Sequence, residues 1–305
     1  MATSDSSRAD GTLVRTTEAL RVALAKPVAP GLHLVATPIG NLGDITLRAI
    51  ATLAACDVIY CEDTRHSRTL AVHFGLTAPL KPYHEHNGEV ARPQILAALA
   101  AGQRIALISD AGTPLISDPG YKLVRAAIEA GYFVTALPGA SAVLAALTIS
   151  GLPTDCFLFA GFLPPKSAAR IARLKELAQV PATLVFYEAP SRVVDCVNDI
   201  HASLGNREVA VARELTKLHE AVVLGPASGV AIRLEQDGPR GEFVVLVAPP
   251  VAVVVTDAMI EAHLETAMAE TSTRDATQAV AEALGVARGR VYDLALALKR
   301  KRVKS

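Results

Sequence analysis

Short, almost wholly apolar runs recur along this chain, and each is followed by a longer segment whose apolar positions return every three or four residues. The runs predict strands buried on both faces, and the longer segments predict helices packed against them. Strands are expected at 32–37 (LHLVAT), 57–62 (DVIYCE), 80–84 (LKPYH), 104–110 (RIALISD) and 132–137 (YFVTAL), with helices at 45–56, after Thr64, and at 91–101, 119–130 and 140–149. This alternation predicts an α/β fold with a mostly parallel sheet in the N-terminal domain, covered on both faces.

The pattern changes at Gly151-Leu152-Pro153-Thr154-Asp155, which reads as a linker. A second α/β unit follows, with strands FLFAGF, TLVFYEA, EVAVARE and FVVLVAP, helices at 168–178 and 191–203, and Pro249-Pro250 at its end. The expected domains are therefore a flexible extension over 1–30, α/β domains over 31–151 and 152–250, and a small helical segment over 251–305 with a basic tail. The extension is small, polar and Ala-rich up to Pro27 and Pro30, so at most a weak helix is expected there.

Composition narrows the function. Half of the 305 residues are hydrophobic, enough for a sizeable core. Lys+Arg and Asp+Glu balance at 30 each, so any contact with a polyanion must be local. Aromatics make up 4% and Trp is absent, which argues against a broad base-stacking platform. Cys56, Cys61, Cys156 and Cys196 form no CxxC and no zinc pattern; they read as reduced thiols of a cytoplasmic protein, with no metal. The uncharged stretch 131–154 is broken by Pro138-Gly139 and closed by Gly151 and Pro153, so a strand, a turn and a buried helix are expected there rather than a membrane span.

The loops carry the chemistry, because ligands of parallel sheets gather at the carboxyl ends of the strands. SDAGTPLISDPG (109–120) places Asp110, Gly112 and Thr113 there. Ser117 or Asp118 is expected to cap the next helix, with Pro119 in its first turn. TPIGNLGD (37–44) is no GxGxxG, so an ordinary dinucleotide fingerprint fails. EDTRHS (62–67) is open to two readings, a capped helix start or a site. PGASA (138–142) begins a helix whose exposed N–H groups could hold a polar ligand.

TPIGNLGDITLRA, EDTR, SDAGTPLISDPG, PGASA, FYEAPSR and RELTKLHE, in this order, resemble the tetrapyrrole-methylase superfamily, and within it the ribosomal RNA branch. The likeness runs from about Leu32 to Val247. It implies a two-domain, class III methyltransferase fold with S-adenosylmethionine between the domains, commonly in a homodimer. It places cofactor contacts at Pro38, Asp110, Gly112, Thr113, Ser141, Ala142, Tyr187 and Glu188. It also implies 2′-O-methylation of a decoding-centre cytidine in small-subunit ribosomal RNA, presented as naked RNA or as the 30S particle.

A ribose hydroxyl needs a proton acceptor. Glu62, Asp63, Glu188 and Glu214 are the candidates, with His84, Glu85 and His86 as further possibilities. Substrate RNA contacts are expected from Arg65, His84, His86, Arg192, Arg213 and Lys217, each of which could equally sit in a surface ion pair. TRDATQAVAEALGVARGRVYDLALAL (273–298) resembles a helix-turn-helix with its turn at Gly285, and residues 288–304 hold seven basic side chains against one acidic. That local charge suits RNA, or merely a solvated helical cap. The competing functions are methylation of a tetrapyrrole or other small molecule, nicotinamide-dependent redox chemistry, which the missing GxGxxG disfavours, and a non-enzymatic RNA-binding adaptor.

Overall fold

The computed structural model describes residues 3–251 and 255–304, with side chains described from residue 9 to residue 299. Residues 1–250 form one compact unit and 251–305 another.

The first unit holds two sheets. In the first, β1 (Gly31–Val35), β2 (Val58–Cys61), β3 (Leu80–Pro82), β4 (Arg104–Ile108) and β5 (Val134–Leu137) run parallel in the order β3-β2-β4-β1-β5. The apolar run of β4 explains its central place. Successive side chains of a strand point to opposite faces. Ile105 and Leu107 accordingly join Leu32, Ile95 and Leu123 on one face, while Ala106 and Ile108 join Val35, Leu53 and Ile59 on the other. Each fully buried Leu or Ile contributes about 1.5–3 kcal/mol relative to exposure. The covering helices are α2 (Leu47–Ala55), α3 (Thr64–His73), α4 (Gly88–Ala100) and α5 (Tyr121–Glu129), and α6 (Ala142–Ile149) follows β5.

The second sheet has the order β6-β7-β10-β8-β9, from β6 (Phe157–Phe162), β7 (Thr183–Glu188), β8 (Glu208–Arg213), β9 (Ala221–Pro226) and β10 (Phe243–Val247). β6 and β7 are parallel, and every other neighbour is antiparallel. α7 (Ser167–Leu177), α8 (Val193–Leu204) and α9 (Ala227–Asp237) cover one face, with Leu174, Val197, Ile200 and Val230 packed on Leu184, Phe186 and Val245. The opposite face, through Val185, Ala210, Val244 and Leu246, packs on Val143, Ala146 and Leu147 of α6 and on Ile39. That shared core fixes the two sheets against each other beside the carboxyl ends of the first.

Residues 3–25, expected to be an extension with at most a weak helix, form the helix α1, which touches α2 while Leu13, Val14 and Val22 stay exposed. The second unit holds α10 (Asp257–Glu270), α11 (Thr273–Leu284) and α12 (Arg288–Lys304) around Ile260, Leu264, Val280, Val291 and Ala295. Ser272 caps α11 by accepting from Asp275 N–H, and Gly285 ends it in a left-handed conformation (φ 62°). Arg300, Lys301, Arg302 and Lys304 carry side chains outside the described residues. No described helix is long and apolar enough to cross a membrane. Cys56, Cys61 and Cys196 are buried free thiols, and Cys156 is an exposed one; burial pushes the Cys56 thiol up to about 12, which makes it unreactive.

Candidate functional site

β1 and β4 lie side by side, and their loops leave in opposite directions, toward β2 and toward β5. Such a switch point opens a crevice at the strand ends. Thr37 and Gly112 bridge it: Thr37 N–H donates to Gly112 O at 2.9 Å, and Gly112 N–H donates to Thr37 O at 3.1 Å. The Thr37 hydroxyl donates to Ser109 O at 3.1 Å, and the Ser109 hydroxyl to Gly112 O at 2.9 Å. Gly112 holds φ 83°, and a Cβ there would stand 3.2 Å from Ile39 Cγ2. A residue free of a side chain is therefore required at that turn. The neighbouring loops are tied in: the Thr113 hydroxyl donates to Ala140 O at 3.1 Å, and Asp63 N–H donates to Asp110 Oδ1 at 3.1 Å.

Beyond this bridge lies a cleft of about 420 Å³, within the range typical of small-ligand sites. Its wall includes Asp110, Gly112, Thr113, Ser141, Ala142, Tyr187 and Glu188 from the expected set. Pro38 lies instead in an adjoining pocket of about 220 Å³, together with His66, Ser67 and Asp110. Ser141 caps α6 by accepting from Leu144 N–H. Sequence reasoning did not find Ile39, Ile116, Leu215, Glu242, Phe243 or Val244 as lining residues. They come from loops and strands whose approach depends on how the two sheets pack.

Four carboxylates, Asp110, Asp118, Glu188 and Glu242, line the cleft, and among the described residues no Lys or Arg does. Glu188 is buried; its Oε1 accepts from Ala189 N–H at 2.8 Å and pairs with Arg192 at 2.6 Å, while Oε2 has no partner. The Tyr187 ring meets Phe159 and Phe162 edge-on at 4.8 and 5.6 Å. Among the described residues, the non-glycine residues at clearly positive φ are Leu115 (72°), Ser117 (63°), Glu214 (50°) and Thr216 (64°). They occupy two loops at the cleft, where strained backbone commonly accompanies function.

The expected cap of α5 is corrected. Neither Ser117 nor Asp118 caps it; Gly120, at φ 138°, is the N-cap residue, and no side chain bonds the helix start. A Cβ on Gly120 would come within 3.0 Å of both Leu107 and Leu115, so the chain passes too close to the sheet for a capping side chain.

Other candidates stand outside the cleft wall. Asp63 caps α3, accepting from Arg65 N–H at 2.8 Å and pairing with its guanidinium at 2.7 Å. Those bonds hold its carboxyl down at about 2. Glu62 is exposed and shares a recess with Tyr83, Ser109 and Asp118. Glu214 accepts from Glu242 N–H at 3.0 Å and from Lys217 at 3.1 Å, which lowers its carboxyl below the usual range. Lys217 also reaches Glu242 at 2.6 Å. His84 and His86 stack edge-on at 6.1 Å. Arg213 keeps a buried Nε without a partner.

Over residues 31–231 the chain matches the family described as Tetrapyrrole (Corrin/Porphyrin) Methylases. The chain belongs to the tetrapyrrole methylase family. Residues 254–299 of this methylase match a second family, the RsmI C-terminal HTH domain. It is 49% identical over 277 residues to the Ribosomal RNA small subunit methyltransferase I of Mesorhizobium japonicum, covering 90% of this chain and 94% of that one. The solved structure of diphthine synthase superposes with a TM-score of 0.57 at 13% identity, covering 71% of this methylase and 89% of that chain. Uroporphyrin-III C-methyl transferase from Thermus thermophilus, complexed with S-adenyl homocysteine, gives 0.50 at 22% identity, covering 72% and 97%. At such identities these two likenesses speak for the fold.

Proposed function

We propose that this methylase uses S-adenosylmethionine to methylate the ribose 2′-hydroxyl of a decoding-centre cytidine in small-subunit ribosomal RNA. The observation that carries the reading is the cleft itself: four carboxylates set among apolar walls at the switch point of a methylase fold. The named relative, aligned over nearly all of both chains, supports the RNA acceptor.

The cleft suits the donor. Asp110 and Glu188 offer negative charge to a sulfonium and an ammonium group, and the free Oε2 of Glu188 is a buried acceptor still lacking a donor. Ile39, Leu215, Phe243 and Val244 offer apolar cover to a purine. Thr113 and the start of α6 at Ser141-Ala142 hold polar edges through backbone groups. When bound, the donor supplies an electrophilic methyl group and a neutral leaving group. The chain's own residues then position the acceptor hydroxyl, exclude water and accept its proton.

Arg65, 90% exposed in its pair with Asp63, is available to acceptor phosphates, since exposed ion pairs are worth little, and Arg213 and Lys217 are further candidate cations. The helical unit adds its local basic charge. A homodimer in the cytoplasm completes the proposal. The test is transfer of labelled methyl to small ribosomal subunits, followed by mapping of the modified nucleotide. Label on a 2′-oxygen of a decoding-centre cytidine is expected; transfer to a porphyrin precursor alone overturns the reading.

A further inference from the structure

Asp118 lacks the structural task its sequence context suggests. The helix it is expected to cap starts at Tyr121 behind Gly120, with no side-chain cap. Its side chain instead lines two spaces, the donor cleft and the recess shared with Glu62, Tyr83 and Ser109. The segment leading to it passes through Leu115 and Ser117 in left-handed conformations, a backbone cost that turn-making alone does not require. The charged groups acting on Asp118 are both anionic: Glu62 from the loop after β2 and Asp110 at the end of β4. Tyr187 of β7 feels its charge from the second sheet.

The consequence is a carboxylate more basic than an ordinary aspartate. Burial first, then the charges of Glu62 and Asp110, push its carboxyl up to about 6. At neutral pH it is ionised, yet it binds a proton far more readily than Asp63, held at about 2. Of the other candidates, Glu188 is paired with Arg192 and Glu214 with Lys217 and Glu242 N–H, while Glu62 is exposed and stands outside the cleft lining.

We propose that Asp118 is the catalytic residue that takes the proton from the acceptor hydroxyl. This rests on the hydroxyl-methylating function proposed above. In the step, the acceptor O–H bond breaks and its proton passes to a carboxylate oxygen of Asp118. The acceptor oxygen forms the new bond to the methyl carbon, and the carbon–sulfur electron pair leaves with the sulfur.

The test uses the full chain, small ribosomal subunits and labelled donor, in single turnover at saturating donor from pH 5 to 8. Calorimetry of each variant with S-adenosylmethionine fixes the saturating concentration and reports the cleft independently of turnover. The wild-type rate is expected to fall tenfold per pH unit below about 6. Asp118→Asn is expected to bind donor, to be slower by ~10²–10⁴-fold, and to lose that acid limb. Glu62→Gln removes a neighbouring anion, so it should move the limb to lower pH, a shift that a purely structural Asp118 would not transmit. Asp118→Asn turning over within about threefold of wild type, or Glu62→Gln abolishing turnover, overturns the assignment. Wild-type protein that binds donor but labels no subunit overturns the acceptor reading, and the assignment falls with it.

Discussion

The Thr113 hydroxyl donates to the carbonyl of Ala140 across 3.1 Å, joining the loop after β4 to the loop that starts α6. Both loops line the cleft, so this bond sets the distance between two of its walls. Thr113→Val keeps the shape and removes the donor. A net hydrogen bond is worth about 0.5–1.5 kcal/mol, so donor affinity should weaken by about 2- to 12-fold, read by calorimetry. Unchanged affinity would mean that the two loops are held apart by packing alone.

Gly112 tests the strand-end bridge more severely. Alanine there must adopt φ near 83° and stand 3.2 Å from Ile39 Cγ2. The left-handed conformation alone costs about 1–2 kcal/mol. Gly112→Ala should lower Tm by a few degrees and weaken donor binding beyond that loss of stability, because the bridge to Thr37 and the cleft wall move together. Thermal unfolding with and without donor separates the two effects.

The first sheet is legible because its strands are uniformly apolar and its helices periodic, so LHLVAT and RIALISD announce central strands. The strand β9 is not. Its positions are all exposed or half-buried at a sheet edge, and Gly225-Pro226 imitates a turn. α9, which follows β9 directly, is hidden with it. Nor does local pattern reveal that β10, last in the chain, inserts between β7 and β8. The same limit applies at the site. Asp110, Gly112 and Ser141 stand beside strand ends and can be read from spacing, whereas Glu242 and Leu215 reach the cleft only through the packing of the second sheet. Asp118 misleads because Ser-Asp-Pro-Gly has the composition of a helix start, and only the close pass of Gly120 over Leu107 shows otherwise.

Arg192 is an RNA candidate by its motif, and the structure gives it another occupation. It pairs at 2.6 Å with Glu188, whose side chain is fully buried, while its own is 28% exposed. Removing it strands a buried carboxylate, at a cost of about 3–5 kcal/mol. Arg192→Ala should therefore lower Tm while leaving the salt slope of RNA binding unchanged. A slope reduced by about 1 would instead reveal a phosphate contact.

Two aspartates give stability opposite dependences on pH. Asp63 is held at about 2, below the unfolded value near 3.9. Its contribution is present above about pH 4 and disappears as pH falls toward 2. Asp118 is raised to about 6, so the fold prefers its protonated form. That preference is fully kept below about pH 4 and lost as pH rises through 6. Asp63→Asn should therefore be less stable than wild type at pH 6, with the gap closing toward pH 2. Asp118→Asn should gain on wild type between pH 4 and 7 even as it loses turnover. Parallel Tm curves for wild type and Asp118→Asn would remove the raised carboxyl.

Removing the helical unit tests whether RNA binding can be separated from donor binding. Its core of Ile260, Leu264, Val280 and Val291 is its own, and the lining of the cleft falls entirely within residues 1–250. Arg290 is partly neutralised inside the unit by Asp257 at 2.6 Å, which leaves Arg288 and the run from Lys299 to Lys304 as the main source of positive charge in α12. Ending the chain after Pro250 should leave calorimetric donor affinity unchanged. Binding to small-subunit RNA should weaken, and its log–log salt slope should become shallower by about 0.9 for each duplex phosphate that the tail no longer neutralises. If affinity and slope both persist, the basic helix is a solvated cap, and the cations beside the cleft must grip the RNA by themselves.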